Sequence, residues 1–202
     1  MNPTELQSAV IKKPKLQQGL WQDGWYRFAH HSKSPNFGVR PDGARVDLLV
    51  LHSISLPPGN YGGDEVRQLF TNQLDWDSHC YFQRIKNIQV SAHFYIQRNG
   101  QLWQFVSTEK RAWHAGTSSY RGRDNCNDYS IGIELEGLEG EVFEEAQYES
   151  LAVLCSAIGQ HLPNLHVVGH EHIAPGRKTD PGAGFDWSRL TKMLAWDPQV
   201  FP

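Results

Sequence analysis

Apolar positions in this chain collect into short blocks whose spacing changes from one block to the next. From Val46 the run V-D-L-L-V-L-H is nearly continuous in branched aliphatics, which predicts a strand covered on both faces. The run Y-S-I-G-I-E-L-E-G alternates Ile131, Ile133 and Leu135 against Ser130, Gly132, Glu134 and Glu136, predicting a strand with two different faces. Glu134 and Glu136 then point to the same side. Between these blocks lies V-S-A-H-F-Y-I-Q-R-N-G-Q-L-W-Q-F-V, two strands joined at Asn99-Gly100, a dipeptide suited to the positive φ values of a tight hairpin. One more short strand, L-H-V-V-G-H, follows Pro163. Helical spacing runs through D-E-V-R-Q-L-F-T-N-Q-L, which has acidic residues in its first turn, and from Phe143 to His161. A last helix starts at Asp186, which is placed to cap it.

Strands and helices thus alternate without strict βαβ repetition, so the expected fold is α/β, a single domain with a central mixed sheet flanked by helices. A chain of 202 residues is long enough for one sizeable core, and no low-complexity linker marks off a second. The first forty or so residues are rich in Pro, Asn, Ser and Lys and lack a sustained period. They read as an extended arm anchored by aromatics such as Trp21, Trp25 and Phe28, with residues 1–23 outside the domain and 24–202 forming it.

A formal net charge of −3 argues against a surface built to neutralise a polyphosphate, so nucleic acid is not an expected partner. Cys80, Cys126 and Cys155 form no C-x-x-C pair and read as reduced thiols of a cytoplasmic protein. The first residues lack the apolar core of a secretory signal, and no run is long enough to span a membrane. The sequence fixes no oligomeric state.

Ten histidines direct attention to places where histidine meets carboxylate. The blocks L-L-V-L-H and L-H-V-V-G-H both end in histidine where the apolar run gives way to turn residues. In open sheets flanked by helices, ligands gather beyond the strand ends, which makes His52 and His170 the candidates for a shared centre. Asp180 is a possible third metal ligand, and Lys178, two residues earlier, projects to the same side if the backbone before Pro181 is extended. Two imidazoles, a carboxylate and a cation, with a further carboxylate as base, suit metal-assisted amide hydrolysis. Glu134 and Glu136 are both candidates for that base, and spacing alone does not choose between them. Taken singly each feature has a plainer meaning: a hydrogen-bonded surface histidine, a solvated strand face, a surface ion pair.

With the motifs L-H-S-I-S-L-P-P-G, V-S-A-H, K-R-A-W-H-A-G, C-N-D-Y-S-I-G-I-E-L-E-G and A-P-G-R-K-T-D-P-G in view, the chain resembles the zinc-dependent N-acetylmuramoyl-L-alanine amidases, the family that includes peptidoglycan recognition proteins. The resemblance runs from about Gly24 to Trp187 and is strongest to the cytoplasmic branch that acts on 1,6-anhydro-muropeptides. It implies one zinc ion on His52, His170 and Asp180, with Glu134 as the catalytic carboxylate and Lys178 facing the oxyanion. It further implies cleavage between the lactyl group of anhydro-muramic acid and L-alanine, in cell-wall recycling, with an anhydromuropeptide as partner. Trp113 and His114 become candidate pocket walls, while His93 is assigned to structure and His172 has no role. At three positions the chain departs from the family pattern: Ser53 stands in place of asparagine, and Gln89 and Asn125 in place of arginines suited to stem-peptide carboxylates. Two rivals compete with this reading, a non-catalytic peptidoglycan-binding module and a closed structural zinc site with His172 as fourth ligand.

Overall fold

The computed structural model of the chain describes residues 19–202, so residues 1–18 of the expected arm lie outside the described part. A six-stranded mixed sheet forms the centre. Its strands are β1 (His30–His31), β2 (Leu48–Ile54), β3 (Phe94–Ile96), β4 (Leu102–Gln104), β5 (Ser130–Glu136) and β6 (His166–Gly169). Their spatial order is β6-β2-β5-β3-β4-β1. From β6 through β3 all pairings are parallel; β3 and β4 form an antiparallel hairpin, and β1 runs parallel to β4. Helices α1 (Glu65–Phe70), α2 (Glu145–Gly159), α3 (His170–Ile173) and α4 (Trp187–Leu194) complete the fold.

Parallel strands buried on both faces need apolar residues at consecutive positions, which accounts for the aliphatic run of β2. Leu49 and Leu51, with Ile131, Ile133 and Leu135 of β5, pack against Leu151, Leu154 and Ile158 of α2 and Leu190 of α4. Leu48 and Val50 face the other way, onto Ala115, Cys126, Tyr129, Val168 and Ile173. Burying each such side chain contributes about 1.5–3 kcal/mol. His52 shares the parity of Leu48 and Val50 and so emerges on this second face at the carboxyl end of β2. Asp186 caps α4 by accepting the Arg189 N–H at 2.9 Å, and Glu144 and Gln147 form a capping box at the start of α2.

Several local expectations need correction. The described part of the first forty residues is not an extended arm: Trp21–Gln22 and Trp25–Tyr26 form a two-stranded antiparallel ribbon, and His30–His31 adds an edge strand to the main sheet. Its anchors are Trp21 and the buried Tyr26, whereas Phe28 is 65% exposed. Helix α1 stops at Phe70 because Asn72 adopts a left-handed φ of 59°. In the β3–β4 hairpin only Gly100 of the Asn99-Gly100 pair takes a positive φ, 83°. The Gly100 N–H bonds to the Gln97 carbonyl and the Gln97 N–H to the Gln101 carbonyl, giving a three-residue loop closed by a glycine bulge.

Candidate metal centre

Register places the chemistry. Glu134 of β5 lies directly beside His52 of β2, and Gly169 of β6 beside Leu51, so the next residue, His170, comes level with His52. Three neighbouring parallel strands thus deliver His170, His52 and Glu134 to one edge. Asp180 joins them from the segment after α3, where its carbonyl accepts the Glu171 N–H at 2.9 Å. Gly169 makes room for this return: a Cβ there would come within 2.7 Å of Pro181 Cδ.

His52 Nδ1 lies 2.9 Å from His170 Nδ1, and Asp180 Oδ2 lies 3.0 Å from the former and 3.1 Å from the latter. Around a tetrahedral zinc with bonds of about 2.0 Å, ligand atoms stand about 3.3 Å apart, so the cluster needs only a slight opening to accept the ion. The donor chemistry agrees. His170 Nε2 meets the Ala115 carbonyl at 3.0 Å, which can only accept, so that nitrogen carries the proton and Nδ1 is a bare lone pair. Burial chiefly, and His170 next, push the His52 imidazolium pKa down to about 4 despite the opposing Asp180, so His52 is neutral as a ligand must be. Burial works to raise the Asp180 carboxyl, but its contacts with His170 and His52 override it and hold the group well below the usual carboxylate range.

The two glutamates of β5 are not a solvated face. Glu136 is buried and spent on structure, accepting the Gly62 N–H at 2.6 Å and the Arg98 N–H at 2.9 Å. Glu134, 8% exposed, has a buried Oε2 without a hydrogen-bond partner. Burial, and then the charge of Asp180, raise its carboxyl well above the ordinary value, while Lys178 pulls the other way. The exposed Lys178 also opposes protonation of His52, so its charge is felt at the cluster.

Residues 42–183 match the model of the N-acetylmuramoyl-L-alanine amidase family. The chain belongs to that family. It is 47% identical over 177 residues to the 1,6-anhydro-N-acetylmuramyl-L-alanine amidase AmpD of Citrobacter freundii, covering 87% of this chain and 95% of that one. A crystal structure of a selenomethionine AmpD derivative superposes with a TM-score of 0.85 at 47% identity, over 87% of this chain and 99% of the other. The Escherichia coli amidase AmiD, solved as a complex with anhydro-N-acetylmuramic acid-L-Ala-D-γ-Glu-L-Lys, aligns at a TM-score of 0.53 and 32% identity, over 79% of this chain and 63% of that one.

The remaining candidates of this amidase-family chain fall in different places. His114 Nδ1 sits 2.9 Å from His52 Nε2, and its own Nε2 lies 3.1 Å from Ser130 Oγ. Trp113 is half-buried and backbone-paired with Ser91. Ser53 lines a cavity of about 280 Å³ with Tyr81, Ile85, Leu138 and Glu139; Ile88 and Val90 line it too, and the exposed Gln89 lies between them in sequence. Asn125 lines a second cavity of about 830 Å³ with Thr117, Asn127 and Arg177. His93 is a framework residue, its Nδ1 accepting the Gly132 N–H at 3.0 Å. His172 Nδ1 accepts the Gly169 N–H at 2.9 Å, and His172 is not among the residues whose ligand atoms converge with those of His52, His170 and Asp180. No helix among the described residues is long and apolar enough to cross a membrane.

Proposed function

We infer that this chain is a zinc-dependent amidase that hydrolyses the amide between the lactyl group of 1,6-anhydro-N-acetylmuramic acid and the L-alanine of the stem peptide, in cell-wall recycling. The observation that carries the reading is the meeting of His52, His170 and Asp180 within hydrogen-bond distance of one another, with Glu134 level beside them. Family membership supplies the reaction class, and relatives solved with anhydromuramyl peptides supply the substrate class.

His52 and His170 through Nδ1, and Asp180 through Oδ2, would hold the ion. When bound, zinc would supply Lewis acidity to the scissile carbonyl and ease the deprotonation of water. Glu134 takes a proton from the attacking water: its unpartnered Oε2 is the available acceptor, and burial keeps its affinity for the proton high. The same carboxyl then gives that proton to the L-alanine nitrogen, which leaves as a neutral amine. Lys178 turns its ammonium toward the oxygen on which negative charge develops. We place the reaction in the cytoplasm, on the support of three unpaired cysteines, Cys80, Cys126 and Cys155.

Mass spectrometry of products from a defined anhydromuramyl-tripeptide, with and without chelator, tests the reading. Release of the intact tripeptide, abolished by chelator and restored by zinc, is expected. Cleavage at another bond, or chelator-resistant turnover, refutes it.

A further inference from the structure

The two metal-facing imidazoles are held from behind by adjacent residues of one segment. Both His52 and His170 turn Nδ1 toward the cluster, leaving Nε2 as the rear atom. The rear atom of His52 meets His114 Nδ1 at 2.9 Å, and that of His170 meets the Ala115 carbonyl at 3.0 Å. We propose that the dipeptide His114-Ala115 is a single positioning strap for both imidazoles, set in place by Asn127, a residue that touches neither. This inference rests on the metal reading above and extends it to residues with no ligand role.

Asn127 holds the strap by its backbone. Its Oδ1 accepts the N–H of His114 at 3.1 Å and the N–H of Ala115 at 2.9 Å. A guanidinium grips the far side, Arg177 Nη2 donating to the Ala115 carbonyl at 2.7 Å and to the Thr117 carbonyl at 2.6 Å. The ring of His114 lies over Gly132 of β5, where a Cβ would come within 2.4 Å of the imidazole. Any side chain at 132 would therefore displace the strap, in the strand that also carries Glu134. Proton placement follows from these contacts. With Nε2–H of His52 donating to His114 Nδ1, and Nε2–H of His114 donating to Ser130 Oγ, His52 presents a bare Nδ1. His170 presents the same atom for the reason already given. Metal-ligating histidines are oriented by the partner of the second ring nitrogen, and loss of such a partner typically costs about 10–100-fold in metal affinity. Here one dipeptide supplies both partners, so a displacement of the strap disturbs two ligands together.

The test is zinc affinity, measured by competition with a chromophoric chelator on the full-length protein, alongside thermal unfolding of the zinc-free form. Asn127→Ala is expected to weaken zinc about 10–100-fold. Asn127→Asp, which keeps an acceptor oxygen for the two N–H groups, is expected to stay near wild type. His114→Asn, whose side-chain oxygen can replace Nδ1 as acceptor, should likewise bind better than His114→Phe; this pair decides the matter if Asn127→Ala does not fold. Folded Asn127→Ala and His114→Phe proteins with wild-type zinc affinity overturn the proposal. So does lowered thermal stability with unchanged affinity, the mark of a merely structural role. A wild type that binds no zinc would instead overturn the metal reading itself.

Discussion

Replacing Glu134 by glutamine should stabilise the zinc-free protein while disabling it. In the fold, one oxygen of this 8% exposed carboxyl has no partner, and Asp180 adds like charge. A buried unsatisfied polar group costs about 1–3 kcal/mol, more when charged. An uncharged amide of the same shape removes the charge, so Glu134→Gln should gain about 1–3 kcal/mol at pH 7 by the same estimate. At about 2–4 °C per kcal/mol for a domain of this size, the melting temperature rises by about 2–12 °C. The sign of the pH dependence follows from the raised carboxyl. The folded state holds the Glu134 proton more tightly than the unfolded chain, so wild-type stability falls as pH rises above the unfolded value of about 4.3, by up to about 1.4 kcal/mol per unit. The loss levels off once the folded group ionises. Glutamine has no such proton, so the gap between variant and wild type opens above about pH 4.3 and closes below it. Zinc should shrink the gap, because a cation beside the carboxyl favours its charged form. Thermal unfolding of chelator-treated protein from pH 4 to pH 8, with and without added zinc, measures all of this. A gap independent of pH, or a variant less stable than wild type at pH 7, refutes the electrostatic account of Glu134. Turnover by the zinc-loaded variant should fall by about 10²–10⁴-fold, the usual contribution of a general base.

Zinc at about 100 times its dissociation constant should stabilise the wild type by about 2.7 kcal/mol, read as a rise in unfolding temperature, and Asp180→Asn should abolish most of that rise. Lys178→Ala should lower kcat by about 10²–10³-fold with zinc content unchanged, as expected for loss of an oxyanion partner; lost zinc would show that the lysine supports the site in another way. Gln89→Arg should lower KM for a tripeptide substrate by about tenfold or more at constant kcat, because a charge-assisted hydrogen bond contributes about 1.5–3 kcal/mol. Asn125→Arg should gain less, because residue 125 holds a left-handed φ of 56° that costs a non-glycine, non-asparagine side chain about 1–2 kcal/mol.

What could be read from the sequence follows the range of each interaction. His52 and His170 were visible as histidines at the ends of apolar runs, since strand ends where side chains leave the core are set by local pattern. Their adjacency was not visible: β2 and β6 are neighbours although the two histidines are 118 residues apart. Nor could period-two spacing choose between Glu134 and Glu136, because both share one face. The choice is made by the Gly62 and Arg98 backbone N–H groups, which occupy Glu136 and leave an oxygen of Glu134 free. Hydrophobic spacing also misjudged residues 19–40, where Tyr26 and the His30–His31 pairing depend on Gln104 and Trp103 far along the chain. The proposed strap behind the candidate metal centre is the extreme case. Ala115 contributes a carbonyl and Asn127 acts on two backbone N–H groups, so no side-chain chemistry at 115 announces its part. The motif blocks W-H-A-G, C-N-D and S-I-G contain its residues, but only His114 among them received a reading from sequence, as a candidate pocket wall. Their geometry supplies a reason. Asparagine at 127 receives two amides at once, and glycine at 132 leaves space for an imidazole that an alanine would push off His52. A candidate site read as five side chains thus rests on at least as many further positions, which the proposed strap assigns to holding those side chains still.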